Sequence, residues 1–243
     1  MKCRRCIMAD KNLLFSGPMV RALLDGRKTQ TRRVLKLPTK THNDGPIYEH
    51  PKMGGWAAGT IGGKGCYLDP AKTIPAPERT CIWHQTTGTT MLPSYAPGDR
   101  LWVREAFSYD SLDVDREGVL PPWYWADGNP SSGDFTRPKP SIHMPRWASR
   151  LTLIVTDVRV QRLQEINEAD AVAEGIEGDG QGAWRCYLPE PKNQTHWSCP
   201  RESFRTLWDS LNAKRGYGWD VNPWVCAVTF TVHRMNIDQM EAA

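Results

Sequence analysis

The sequence predicts an α+β fold built on a small, partly closed β-barrel. Three observations carry this expectation. Five stretches read as strands and three as helices, and they do not alternate strictly, which separates the chain from doubly wound α/β folds. Glycine (20) and proline (19) are abundant, so turns and loops are many. Hydrophobic residues make up 40 % and charged residues 24 %, which excludes a disordered, collagenous or coiled-coil chain. The 243 residues are enough for one large domain or two small ones. The order of elements favours a single domain over 1–243, cut by insertions at about 38–97, 108–140 and 176–199.

Residues 1–10 read as a loose basic lead-in, and Lys11 to Ser16 as a short strand. Gly17-Pro18 opens a helix that carries Met19, Val20, Leu23 and Leu24 on one face. Pro18 suits an early helical position, and Gly26 suits a left-handed cap. Thr29 to Val34 alternates and is β-branched, so a strand leaves that cap. The Pro- and Gly-rich stretch 38–97 reads as hairpins and loops. Pro97-Gly98-Asp99 is a turn signal, and Arg100 to Phe107 alternates as a strand. After the insertion at 108–140, Leu151 to Leu163 reads as one long strand or a bent pair. Asn167 is an N-cap for a short helix that Gly175 stops. Pro200 to Lys214 is an amphipathic helix with Phe204, Leu207, Trp208 and Leu211 on one face, and Trp224 to Val232 is a closing strand.

Net charge is +4, from 31 basic and 27 acidic residues. Arg21, Arg27, Lys28, Arg32, Arg33 and Lys36 cluster with only Asp25 against them, either as an anion-binding face or as a solvated helix flank. The polar N-terminus carries no secretory h-region, and no apolar run approaches a membrane span. With seven scattered cysteines, a reducing cytoplasm with free thiols is expected. No cofactor is expected; a zinc site pooled from Cys3, Cys6, Cys81 and His84 is the alternative. Eleven tryptophans are the odd number in the composition. Trp102, Trp208 and Trp224 read as core, while Trp56, Trp83, Trp123, Trp125, Trp184 and Trp197 fall in loop-rich segments, where aromatics can stack bases.

Three motifs occur in order: LDGRKTQTRR from Leu24 to Arg33, PGDRLWV from Pro97 to Val103, and INEADAVAEG from Ile166 to Gly175. This set resembles the ASCH domain family, which has a PUA-like β-barrel. Leu24, Gly26, Lys28, Thr29, Thr31 and Arg33 match its first motif, and Gly98, Asp99, Leu101 and Val103 its second. The motifs cover about half the chain, and the spread-out loops resemble a longer, prophage-associated branch. Some small bacterial members hydrolyse the amide of N4-acetylcytidine with a lysine, a threonine and a glutamate. The resemblance places these roles on Lys28, Thr31 and Glu174. The insertions depart from the compact family pattern and bear on the substrate.

The chemistry has its own rationale. A threonine hydroxyl becomes a nucleophile when a base takes its proton. A lysine serves as that base when burial or neighbouring cations lower its pKa, and Arg27, Arg32 and Arg33 are such neighbours in sequence. Glu174 can return a proton to the departing amine. The plain alternative makes Lys28 a solvated cation at a helix C-terminus, Thr31 a strand former and Glu174 an exposed helix residue. Two functions compete on this basis. One is an amidohydrolase on a modified nucleoside, with Arg27, Arg32, Arg33 and Arg104 binding substrate. The other is a non-catalytic RNA- or single-stranded-DNA-binding phage accessory protein; contact with a host protein is a third reading.

Overall fold

A computed structural model describes residues 10–110, 121–188 and 196–240. The chain forms β1 (Asp10–Leu14), α1 (Gly17–Leu24), β2 (Gln30–Val34), β3 (Trp56–Ile61), β4 (Arg79–His84), β5 (Thr90–Met91) and β6 (Arg100–Arg104). It continues with β7 (Phe107–Ser108), β8 (Trp123–Tyr124), β9 (Thr152–Arg162), α2 (Glu168–Ala173), β10 (Trp184–Arg185), β11 (His196–Trp197), α3 (Pro200–Asn212) and β12 (Trp224–His233). The α+β class stands, and all five strands expected from the sequence belong to one sheet ordered β1-β6-β9-β12-β2. β1 runs parallel to β6, and the other pairings are antiparallel.

The sheet is sandwiched because β12 is apolar on both faces. Cys226, Val228 and Phe230 join Val20 and Leu23 of α1 in one core. Val225 points the other way, into a second core with Ala171 of α2 and Phe204 and Trp208 of α3. The long strand β9 keeps its inward face only by means of a bulge. Leu153 and Val155 are buried, then Val158 and Val160, so the parity changes midway. The register against β12 shifts between Thr229 and Phe230, where the pairing skips Thr156. One extra residue therefore returns the apolar side chains to the core.

The expected barrel is corrected at one seam. Among the described residues β1 and β2 are the two edges, and the sheet does not close between them. The Arg33 guanidinium fills the gap. Its Nη2 donates to Leu14 O at 3.0 Å, and it lies over the Phe15 ring at 5.5 Å. A cavity of about 290 Å³ occupies the rest of the seam, lined from β1 by Leu13, from β2 by Val34, and by Tyr95 and Cys226.

The insertions build small sheets of their own. Within 38–97, β3, β4 and β5 form a three-stranded antiparallel sheet, and Ile82 docks it against Val160 and Trp224. β7 pairs with β8, and β10 with β11. Most of the loop tryptophans pack there. Trp56 meets His84 edge-on, Trp123 lies against Phe135, Trp125 donates to Ser108 Oγ at 2.8 Å, and Trp184 faces Trp197 across its hairpin. Trp208 and Trp224 are buried as expected, Trp102 is half-buried, and Trp219 joins the second core.

Candidate functional site

Lys28 and Glu174 meet because two caps are built against each other. α1 ends at Asp25, and Gly26 reverses the chain at φ 72°. Lys28 N then donates to Ala22 O and Thr29 N to Ala173 O, both at 2.9 Å, which bends the chain before β2 begins. α2 starts at Asn167, whose side chain accepts from Asp170 N at 2.7 Å, and ends at Glu174. Gly175 sits at φ 87°, and a Cβ there would lie 2.8 Å from Lys28 Cβ and 3.0 Å from Ala22 Cβ. Only glycine accepts both that backbone angle and that approach. Gly175→Ala is expected to lower stability by about 1–3 kcal/mol. Urea unfolding would check this, and an unchanged midpoint would count against the close fit.

The meeting point is buried and charged. Lys28 is 1 % exposed, Thr31 4 %, Arg32 5 % and Glu174 6 %. Lys28 Nζ donates to Glu174 O at 2.7 Å and to Glu174 Oε2 at 2.9 Å. Arg32 Nη1 reaches Glu174 Oε1 at 3.2 Å, and its Nη2 pairs with Asp170 Oδ2 at 2.7 Å. The same Arg32 Nη1 donates to Gln30 Oε1 at 2.5 Å, and Arg159 pairs with Asp170 at 2.9 Å. Buried ion pairs are a poor route to stability, because desolvation offsets the attraction. Concentrated beside a cavity, they make this cluster the candidate site.

Burial is the largest influence on Lys28 and pulls its pKa below the ordinary value. Glu174 opposes that fall, and Arg33 and Arg32 add to it. The two Glu174 acceptors engage two of the Lys28 N–H bonds. For Asp170, burial works against ionisation, but the Arg159 and Arg32 guanidiniums prevail and hold its carboxyl below the usual range.

A cavity of about 360 Å³ opens beside this cluster, within the range of small-ligand pockets. Thr31, Arg32, Arg33 and Glu174 line it on the β2 side. Phe204, Leu207, Trp208 and Leu211 of α3 form an apolar wall opposite, and Lys36 and Arg215 add positive charge. Lys28 supports Glu174 from beneath and does not itself line the cavity.

The expected residues therefore separate. Lys28, Arg32 and Glu174 are in direct contact, and Thr31 and Arg33 share the cavity with Glu174. The solvated alternative for Lys28 and Glu174 is corrected by their burial, while Thr31 does lie in a strand, β2. Arg27 does not line the cavity; it donates to Gly175 O at 3.0 Å and pairs with Asp25 at 2.9 Å. Arg104 does not line this cavity. Its guanidinium donates from Nε to Ser141 O at 3.1 Å and from Nη2 to Ile142 O, and lies over Trp102.

For the zinc alternative, Cys3 and Cys6 lie outside the described residues. Cys81 and His84 are both buried in β4, three residues apart and so on opposite sides of the strand. Among the described residues, no group of three or more His, Cys, Asp or Glu side chains is placed to hold a metal. Nor is any helix of these residues long and apolar enough to cross a membrane.

Sequence reasoning missed Arg215 and Tyr217, which line the cavity just after α3. The apolar face of α3 had no site role in the sequence, whereas Leu211 is 45 % exposed and belongs to the cavity wall. Of the eleven tryptophans only Trp208 lines this cavity. No family model, no curated protein and no solved structure matches the chain.

Proposed function

We propose that the cavity binds a cytidine-type nucleoside and hydrolyses an acyl amide on its exocyclic nitrogen. The observation that carries this reading is the Glu174 carboxylate, clamped by Lys28 and Arg32 and lining the same cavity as Thr31. The reading also draws on the ASCH-like order of the motifs and the PUA-like fold they imply. The apolar wall of α3 stacks the base.

Thr31 Oγ attacks the acyl carbon, and its proton passes by way of the Glu174 carboxylate to the deprotonated Lys28 amine behind it. The carbon–nitrogen bond then breaks. Glu174 relays a proton to the departing nitrogen, leaving the free base and an acyl ester on Thr31. Water attacks the ester, gives its proton to the restored base, and releases the carboxylic acid and the threonine hydroxyl. The charge cluster keeps Lys28 and Glu174 in register through both steps.

The test is incubation of the purified protein with N4-acetylcytidine, following the appearance of cytidine and acetate. Turnover that disappears in Thr31→Val is the expected result. Absence of turnover across a set of N4-acylated cytidines would overturn the reading.

A further inference from the structure

The cavity holds more positive charge than a neutral nucleoside requires. Among the described residues its only carboxylate is Glu174, which is paired with Lys28 and Arg32. Three further cations line it: Arg33, Lys36 and Arg215. Among the described residues none of the three forms an ion pair. Arg33 is the informative one. Its Nε is buried without a hydrogen-bond partner, and Nη2 has only the Leu14 carbonyl. Burial lowers its pKa, Tyr95 and Glu174 oppose that fall, and Arg215 adds to it. Arginine nevertheless stays protonated. A guanidinium with a buried, unpartnered Nε–H and a cationic neighbour is unfavourable unless an anion joins it.

We infer that the natural ligand is a nucleoside monophosphate, with its base against α3 and its phosphate held by Arg33, Lys36 and Arg215. This rests on the reading of the cavity as a base pocket and adds the phosphate to it. Arginine meets phosphate through paired N–H donors, and lysine as a point charge. The paired Glu174 stays with the base, where its oxygen accepts from an exocyclic amine. A single nucleotide, rather than a polymer, fits a cavity of about 360 Å³ walled by α3 on one side and β2 on the other.

The experiment is calorimetric titration of the full chain with cytidine, cytidine 5′-monophosphate and a cytidine oligoribonucleotide, at low and at physiological ionic strength. The monophosphate is expected to bind about tenfold more tightly than cytidine, the scale of charge-assisted hydrogen bonds to one phosphate. Lys36 and Arg215 are exposed, so replacing them leaves the core intact. Lys36→Ala and Arg215→Ala are each expected to reduce the monophosphate-to-nucleoside affinity ratio about threefold or more. Equal affinity for cytidine and its monophosphate, or a ratio that neither variant moves, overturns the phosphate assignment while the base pocket stands. Binding of neither compound overturns the base pocket and the assignment together. Binding of the oligonucleotide alone also overturns the assignment and points to a nucleic-acid surface instead.

Discussion

Lys28→Met is expected to lower kcat/KM for N4-acetylcytidine by about 10²- to 10⁴-fold, the range for loss of a general base. Methionine fills nearly the same volume, so the packing around Phe15 and Ala22 is retained. What disappears is the lone pair. The wild-type profile should show the same group: kcat/KM rises with pH as the buried amine loses its proton, at a pH below the ordinary lysine value of 10.5. Thr31→Val should give at least as large a loss, since it removes the attacking oxygen. A Lys28→Met protein that keeps a third of wild-type activity, or a wild-type profile with no rising limb, would remove Lys28 from the chemistry.

Glu174→Gln is expected to destabilise the fold by about 3–5 kcal/mol, the effect of removing one partner from a buried ion pair. The amide leaves the Lys28 ammonium, 1 % exposed, without its counter-charge, whereas Arg32 keeps Asp170. The double variant Lys28→Met/Glu174→Gln should recover most of the loss, because the unpaired buried charge is gone. The sign of the pH dependence follows from linkage. Lys28 has a lower pKa folded than unfolded, so between the two values the unfolded chain binds more protons. Stability contributed through Lys28 therefore rises with pH across that window, up to about 10.5. Glu174→Gln removes the group that opposes the fall, which extends the window towards neutral pH. Lys28→Met abolishes the slope.

Comparison between variants matters because other groups oppose this slope at alkaline pH. Burial pushes the Cys226 thiol and the Tyr124 hydroxyl up to about 12, so each favours the unfolded chain once the pH passes its ordinary value. Their contribution is common to wild type and variant and cancels in the difference. Chemical denaturation across the alkaline range is the measurement. A Glu174→Gln protein as stable as wild type would mean that Lys28 is uncoupled from Glu174.

Local pattern alone determined the five strands of the main sheet, the three helices and where the helix caps fall. Gly17-Pro18, Asn167 and Gly175 mark helix ends through backbone angles and missing or extra donors, which are properties of single residues. The alternation of Arg100 to Arg104 and the apolar face of α3 were legible for the same reason. The two sides of the site were also visible as separate motifs, one around Lys28 and one around Glu174.

Only the tertiary structure decided what those motifs do to each other. Lys28 and Glu174 are 146 positions apart, and their contact depends on a chain reversal at Gly26 and a close approach at Gly175. Sequence spacing carries no information about which of six nearby cations is buried, paired or free. The structure engages Arg27 with Asp25 and Gly175, Arg32 with Asp170 and Glu174, and Arg104 with carbonyls, and it leaves Arg33 in the seam where β1 and β2 do not pair. Arg215 enters the cavity from a turn that had no motif to flag it. Secondary structure follows from short-range sterics and hydrogen bonds. The pKa of Lys28 and the free charge of Arg33 follow from desolvation, which depends on everything that folds around them.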